Sequence, residues 1–130
     1  MRIIRLLLSF CVTSILCFAS IGCTKLASDF DEKSTASEII SGAERAYIKN
    51  DFVRSAEIYL KVEEYFPYSD DSRMALVKAI EAYHAGAKFL DLRSISRKFV
   101  KLYPEDVKAP FAKYMVGMSY FEQIIDVERD

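Results

Sequence analysis

Apolar residues recur at three- and four-residue spacing through five stretches of this chain, and no stretch alternates with the period of a strand. The first opens at Thr35 with Glu38 three residues on, a capping box in which each residue satisfies a free amide of the helix start. Its apolar set is Ile39, Ala43, Ala46 and Tyr47, and Asn50-Asp51 make the turn. The second carries Phe52, Ser55, Tyr59, Val62 and Phe66 on one stripe and stops at Pro67, which lacks the amide hydrogen a helix needs. Residues Ser69 to Ser72 offer caps for the third, whose stripe is Leu76, Ala79, Ile80 and Tyr83, with Gly86 as its natural end. The fourth runs from about Phe89 through Leu92, Ile95, Phe99 and Leu102 to Pro104. The fifth starts near Pro110, a good first-turn residue, and continues through Ala112, Met115, Val116 and Tyr120. The predicted fold class is all-α.

The helices pair and the pairs repeat. Phe52 to Phe89, Pro67 to Pro104 and Tyr83 to Tyr120 are each 37 residues apart. Repetition at this scale predicts a solenoid of helical hairpins, each burying its apolar face against the next. The segments expected are residues 35–67 for the first repeat, 70–104 for the second and 109–130 for the first helix of a third.

The pattern resembles the tetratricopeptide repeat, nominally about 34 residues with a Gly-x2-Tyr signature in its first helix and a terminal Pro. Gly117-x2-Tyr120, Pro67 and Pro104 fit, and the extra length lies between repeats. The small residue usual in the second helix is Ser55 in one repeat but Leu92 in the next. This resemblance implies that the first helix of each pair lines a concave face. Phasing from the two prolines then places Ile40, Glu44 and Tyr47 there, with Val77, Glu81 and His84 one repeat on and Tyr114, Met118 and Phe121 after another 37 residues. Such a strip of aromatic, Met and acidic side chains suits a partly extended peptide. Packing within the core or between repeats is the competing reading for each.

The N-terminus carries a different pattern. Arg2 and Arg5 precede 14 uncharged, mostly apolar residues from Leu6 to Ala19, and small residues follow, as in a secretory signal. The uncharged run to Thr24 is 19 residues, also long enough for an uncleaved anchor. Gly22-Cys23 favours the first reading, because it resembles the lipobox of bacterial lipoproteins, with Ser20 in place of the usual Leu. That resemblance implies a signal peptide over residues 1–22 and acylation, palmitate included, at Cys23. It implies export to the outer membrane, since Thr24 rather than Asp follows, and a body facing the periplasm. Residues 23–34, with Lys25, Asp29, Asp31, Glu32 and Lys33, read as a flexible tether.

Length and charge narrow the function. The chain has 130 residues, 18 basic against 19 acidic side chains and a net charge of −1. Loss of residues 1–22 removes Arg2 and Arg5, leaving 108 residues with 16 basic and 19 acidic side chains, a net of −3. Neither balance suits a nucleic-acid binder. The signal also takes Cys11 and Cys17, so no disulfide is expected. One histidine, His84, and no cysteine beyond Cys23 exclude Cys/His catalysis and Cys/His metal sites. His84 reads as an ordinary surface or groove residue rather than a pH switch. Glu63-Glu64 and Asp70-Asp71 read as solvated helix-end charge rather than acid–base pairs. Asp126, Glu128, Arg129 and Asp130 read as a solvated loop, or as an ion pair or partner contact. With no phosphate-binding loop and no nucleophile elbow, neither an enzyme nor a cofactor is predicted.

Three stretches, Phe52–Ser69, Phe99–Pro104 and Tyr114–Asp130, resemble the BamD (ComL) family of outer-membrane assembly lipoproteins. The last is the most specific: helical packing alone does not demand its Gly117-x-Ser119-Tyr120-Phe121-Glu122-Gln123-Ile124-x-Asp126-Val127-x-Arg129-Asp130 run. The family has about five repeats, so the resemblance implies an N-terminal portion or a shortened reading frame. It further implies a non-enzymatic lipoprotein of the β-barrel assembly machinery. Such a protein binds nascent, unfolded outer-membrane proteins and the central β-barrel assembly subunit. The alternative is a general periplasmic tetratricopeptide adaptor for cell-envelope or peptidoglycan proteins.

Overall fold

A computed structural model describes residues 30–31 and 33–127, with side chains as far as Ile124. The predicted signal at 1–22, Cys23 and the charged side chains from Asp126 onward lie outside the described residues. Five helices follow in order: α1 (Ala36–Ile48), α2 (Phe52–Tyr65), α3 (Asp70–Ala85), α4 (Phe89–Leu102) and α5 (Ala109–Val127). There is no strand among the described residues. None of these helices is long and apolar enough to cross a membrane.

Local signals set the boundaries. The Thr35 hydroxyl accepts the Glu38 amide at 3.3 Å, and the Glu38 carboxylate accepts the Thr35 amide at 2.8 Å, completing the capping box. Asp51 caps α2 by accepting the Arg54 amide at 3.3 Å, and Ser69 caps α3 by accepting the Ser72 amide at 3.0 Å. Gly86 ends α3, but with φ of −84° it does not use a glycine's conformational freedom. The left-handed residue of that turn is Ala87, at φ 53°. Gly86 is instead a close-approach position, where a Cβ would lie 3.3 Å from the side chains of Phe52 and Val53.

Each helix packs on the next, and α3 also touches α1 and α5. This is a tetratricopeptide-like solenoid of helical hairpins. The apolar stripes meet in one core of Ile39, Val62, Leu76, Ile80, Leu92 and Phe99, each fully buried. Small residues bring the first pair close: the buried Ser55 hydroxyl donates to the Ala43 carbonyl at 2.8 Å. The paired carboxylates have structural partners. Lys98 on α4 donates to Glu63 on α2 at 2.6 Å, and Asp70 lies 3.6 Å from Arg73 within α3. Asp106 organises the α4–α5 loop, accepting the Lys108 amide at 2.7 Å and the Arg73 guanidinium at 3.0 Å. Phe30, within the segment expected to be a tether, seats its ring on Gly42, where any Cβ would overlap it.

Candidate functional site

Antiparallel hairpins stacked in one direction place α1 and α3 side by side, with α2 behind them. A cleft of about 320 Å³ opens between them, lined by Glu44, Tyr47 and Ile48 from α1, Lys78 and Glu81 from α3 and Tyr59 from α2. A second cleft of about 270 Å³ adjoins it through the shared Lys78 and Glu81. This one is formed by Arg73, Met74 and Val77 with Val107 and Lys108 of the α4–α5 loop. Together they make a strip along α3 whose walls change from aromatic and acidic to apolar and basic.

Of the nine residues expected on the concave face, Glu44, Tyr47 and Glu81 line the first cleft. Val77 lines the second, with only 7% of its surface exposed. Ile40 and Met118 are half-buried and pack on the core edge. His84 is half-buried and lines neither cleft. Tyr114 and Phe121 stand exposed on α5, at 60% and 57%, away from both. The expected residues therefore meet at α1 and α3, and neither of these two clefts includes a residue of α5.

Tyr59, Lys78 and Ile48 were not among the expected groove residues. Tyr59 belongs to the apolar stripe of α2, and 97% of it is buried as that stripe demands. The available signal was the phenol itself: a tyrosine in an aliphatic stripe needs a polar outlet for its hydroxyl. Burial, then the charges of Glu44 and Glu81 and the neighbouring Tyr47, push its pKa up to about 12. The phenol therefore stays protonated across physiological pH. Tyr47 is braced edge-on against Phe52, with ring centroids 5.0 Å apart. Lys78 donates to Glu81 at 2.9 Å.

The run that begins at Gly117 has a packing role that its sequence did not suggest. Arg93 of α4 donates through Nε to the Ser119 hydroxyl at 3.1 Å and through Nη2 to the Gln123 side chain at 2.7 Å. Its guanidinium carbon sits 3.5 Å from the centre of the Tyr120 ring, and Arg97 donates to the Tyr120 hydroxyl at 2.6 Å. Ser119 is fully buried. The expectation that helical packing does not demand this run is corrected at three positions: Ser119, Tyr120 and Gln123 hold α5 to α4, whereas Phe121 and Ile124 stand exposed. Gly117, by contrast, has open space around it.

Comparison with known proteins adds to this geometry. The chain is 28% identical over 124 residues to the outer membrane protein assembly factor BamD of Caulobacter vibrioides. That match covers 92% of this chain and 40% of the relative, so the chain spans about two fifths of that protein's length. The profile of the YfiO family, described as outer membrane lipoproteins, matches residues 32–130. BamD-type proteins of this family are assembly factors, not enzymes. The match takes in all five helices and both clefts, and the chain belongs to the YfiO family of outer membrane lipoproteins.

Proposed function

We propose that this protein is a non-enzymatic lipoprotein of the β-barrel assembly machinery that holds segments of unfolded outer-membrane proteins for insertion. It is anchored through acyl chains on Cys23 and faces the periplasm. Two or more chains give stable anchoring where one binds only marginally. The central β-barrel assembly subunit is its partner in the complex. Family membership and the similarity to an assembly factor support the assembly role.

The observation that carries the client-binding part is the cleft between α1 and α3. Tyr47 and Tyr59 offer rigid aromatic surface, Glu44 and Glu81 offer acceptors, and the adjoining cleft offers the apolar Met74, Val77 and Val107. Alternating side chains of an extended segment can seat in successive clefts of this kind. Phe121 and Tyr114 add exposed aromatic surface further along the expected face.

The experiment is titration of the acylated protein with a β-strand peptide ending in a C-terminal Phe. Saturable binding weakened by Tyr47→Ala is expected. An intact fold with no binding would remove the client-holding role. Co-purification from detergent-solubilised envelopes tests the partner. Recovery of the barrel-assembly core is expected, and recovery of only cell-wall synthesis proteins would favour the adaptor reading.

A further inference from the structure

The first cleft contains more polarity than an aromatic-ended peptide requires. Glu44 forms no ion pair among the described residues, whereas Glu81 has Lys78. Tyr59 makes no hydrogen bond among the described residues although it is 97% buried. Only Ser72 and Ser96 have hydroxyls that are both unbonded and sealed among the described residues. The Tyr59 hydroxyl is thus unbonded but not sealed, and the cleft it lines is its outlet. That hydroxyl therefore offers an uncommitted acceptor to whatever occupies the cleft. The cleft's volume of about 320 Å³ is that of roughly ten waters, enough for one long side chain with some solvent.

We propose that this cleft binds an arginine side chain of an extended client segment, its guanidinium held by Glu44 and Glu81 against the Tyr47 ring and donating to the Tyr59 hydroxyl. The chemistry matches group by group. A planar guanidinium has five donors for carboxylate and phenol acceptors, and its face stacks on an aromatic ring. Lys78 already shows that a cation is accommodated here, since it donates to Glu81 at 2.9 Å. Lys78 is therefore an internal competitor that an incoming arginine displaces or shares. The second cleft, reached past Lys78 and Glu81, takes an apolar side chain of the same segment against Met74 and Val107. The groove then reads a basic residue with an apolar neighbour. This inference deepens the proposed function and rests on it only for the identity of the client.

The test uses the acylated full chain in detergent micelles, with tyrosine ring signals followed by NMR. The probes are N-acetyl-arginine amide, its neutral citrulline analogue, and a strand peptide made with arginine or with citrulline. The arginine probe is expected to move the Tyr59 and Tyr47 signals and the citrulline probe to leave them in place. The arginine peptide is expected to bind about tenfold more tightly than its citrulline twin. Glu44→Gln, at an exposed position, removes that preference, and Lys78→Gln increases it by removing the competitor. Equal response to arginine and citrulline in both formats overturns the inference, and if the peptides still bind, the client-holding role survives. Arginine-specific shifts without binding of either peptide uphold the cationic site and overturn the client-holding role instead.

Discussion

Arg93→Ala is expected to loosen α5 while leaving the rest of the solenoid folded. Arg93 makes three polar contacts to α5: the Ser119 hydroxyl at 3.1 Å, the Ser119 carbonyl at 3.3 Å and the Gln123 side chain at 2.7 Å. It also stacks on Tyr120 at 3.5 Å. Hydrogen bonds from a charged donor are worth about 1.5–3 kcal/mol each when well buried, but this guanidinium is half-exposed and solvent screens it. Removal leaves no orphan at Ser119, whose hydroxyl still donates to the Val116 carbonyl at 2.6 Å. The stacking adds about 0.5–1 kcal/mol. A net cost near 2 kcal/mol is the reasoned value. Helix α5 rests on α4 and only lightly on α3, so this loss falls on α5 and its junction with α4 rather than on every helix. About 2 kcal/mol is roughly a 30-fold change in an opening equilibrium. Hydrogen exchange read by mass spectrometry should therefore speed up by that order in residues 109–127 and change little in α1 to α3. Arg93→Lys should reproduce most of the loss, because an ammonium lacks the fork that reaches Ser119 and Gln123 together. Uniform acceleration through every helix, or a change under about twofold in α5, would refute this.

Three further outcomes follow from other contacts. Gly42→Ala should displace the Phe30 ring, cost about 1 kcal/mol and raise protease sensitivity around Ser34 without altering helix content, measured by limited proteolysis and circular dichroism. Tyr59, with its pKa raised to about 12 against 10 in the unfolded chain, stabilises the fold fully below pH 10. That stabilisation is lost as pH rises from 10 towards 12, so Tyr59→Phe should flatten the alkaline side of a thermal-stability profile. Thr35 holds the Glu38 carboxyl below its ordinary value of 4.5, through its backbone amide first and its hydroxyl second. The capping box therefore supports α1 above that pH and fades as pH falls below it. Thr35→Ala should lower the melting temperature at pH 7 and narrow the gap from wild type under acid.

The fold was legible because one signal was written twice. The period of 37 residues fixed both hairpins, and Thr35, Pro67, Ser69 and Pro104 marked ends that the helices respect within a residue or two. Hairpin stacking is a consequence of apolar stripes, and those can be read directly. The cleft was only half legible. Phasing found Glu44, Tyr47 and Glu81, since these share a face with the prolines' register. It could not find Tyr59, because the same side chain serves the core with its ring and the cleft with its hydroxyl. Nor could it find the arginine clamp, which depends on which residues of α4 meet α5 across a loop. Positions 37 residues before Arg93 and Arg97 hold Ala56 and Leu60, so the period carries no trace of these guanidinium contacts.

Asn50 and Ala87, also 37 residues apart, both carry left-handed backbone, with φ of 61° and 53°. Neither is glycine, and alanine in that conformation costs about 1–2 kcal/mol. The same bend thus arises from two unrelated side chains at one register position. Both hairpins close through the same backbone conformation with different side chains at its left-handed position. An engineer could place glycine at position 87, recover about 1 kcal/mol, and so make this hairpin a more stable unit for longer synthetic arrays.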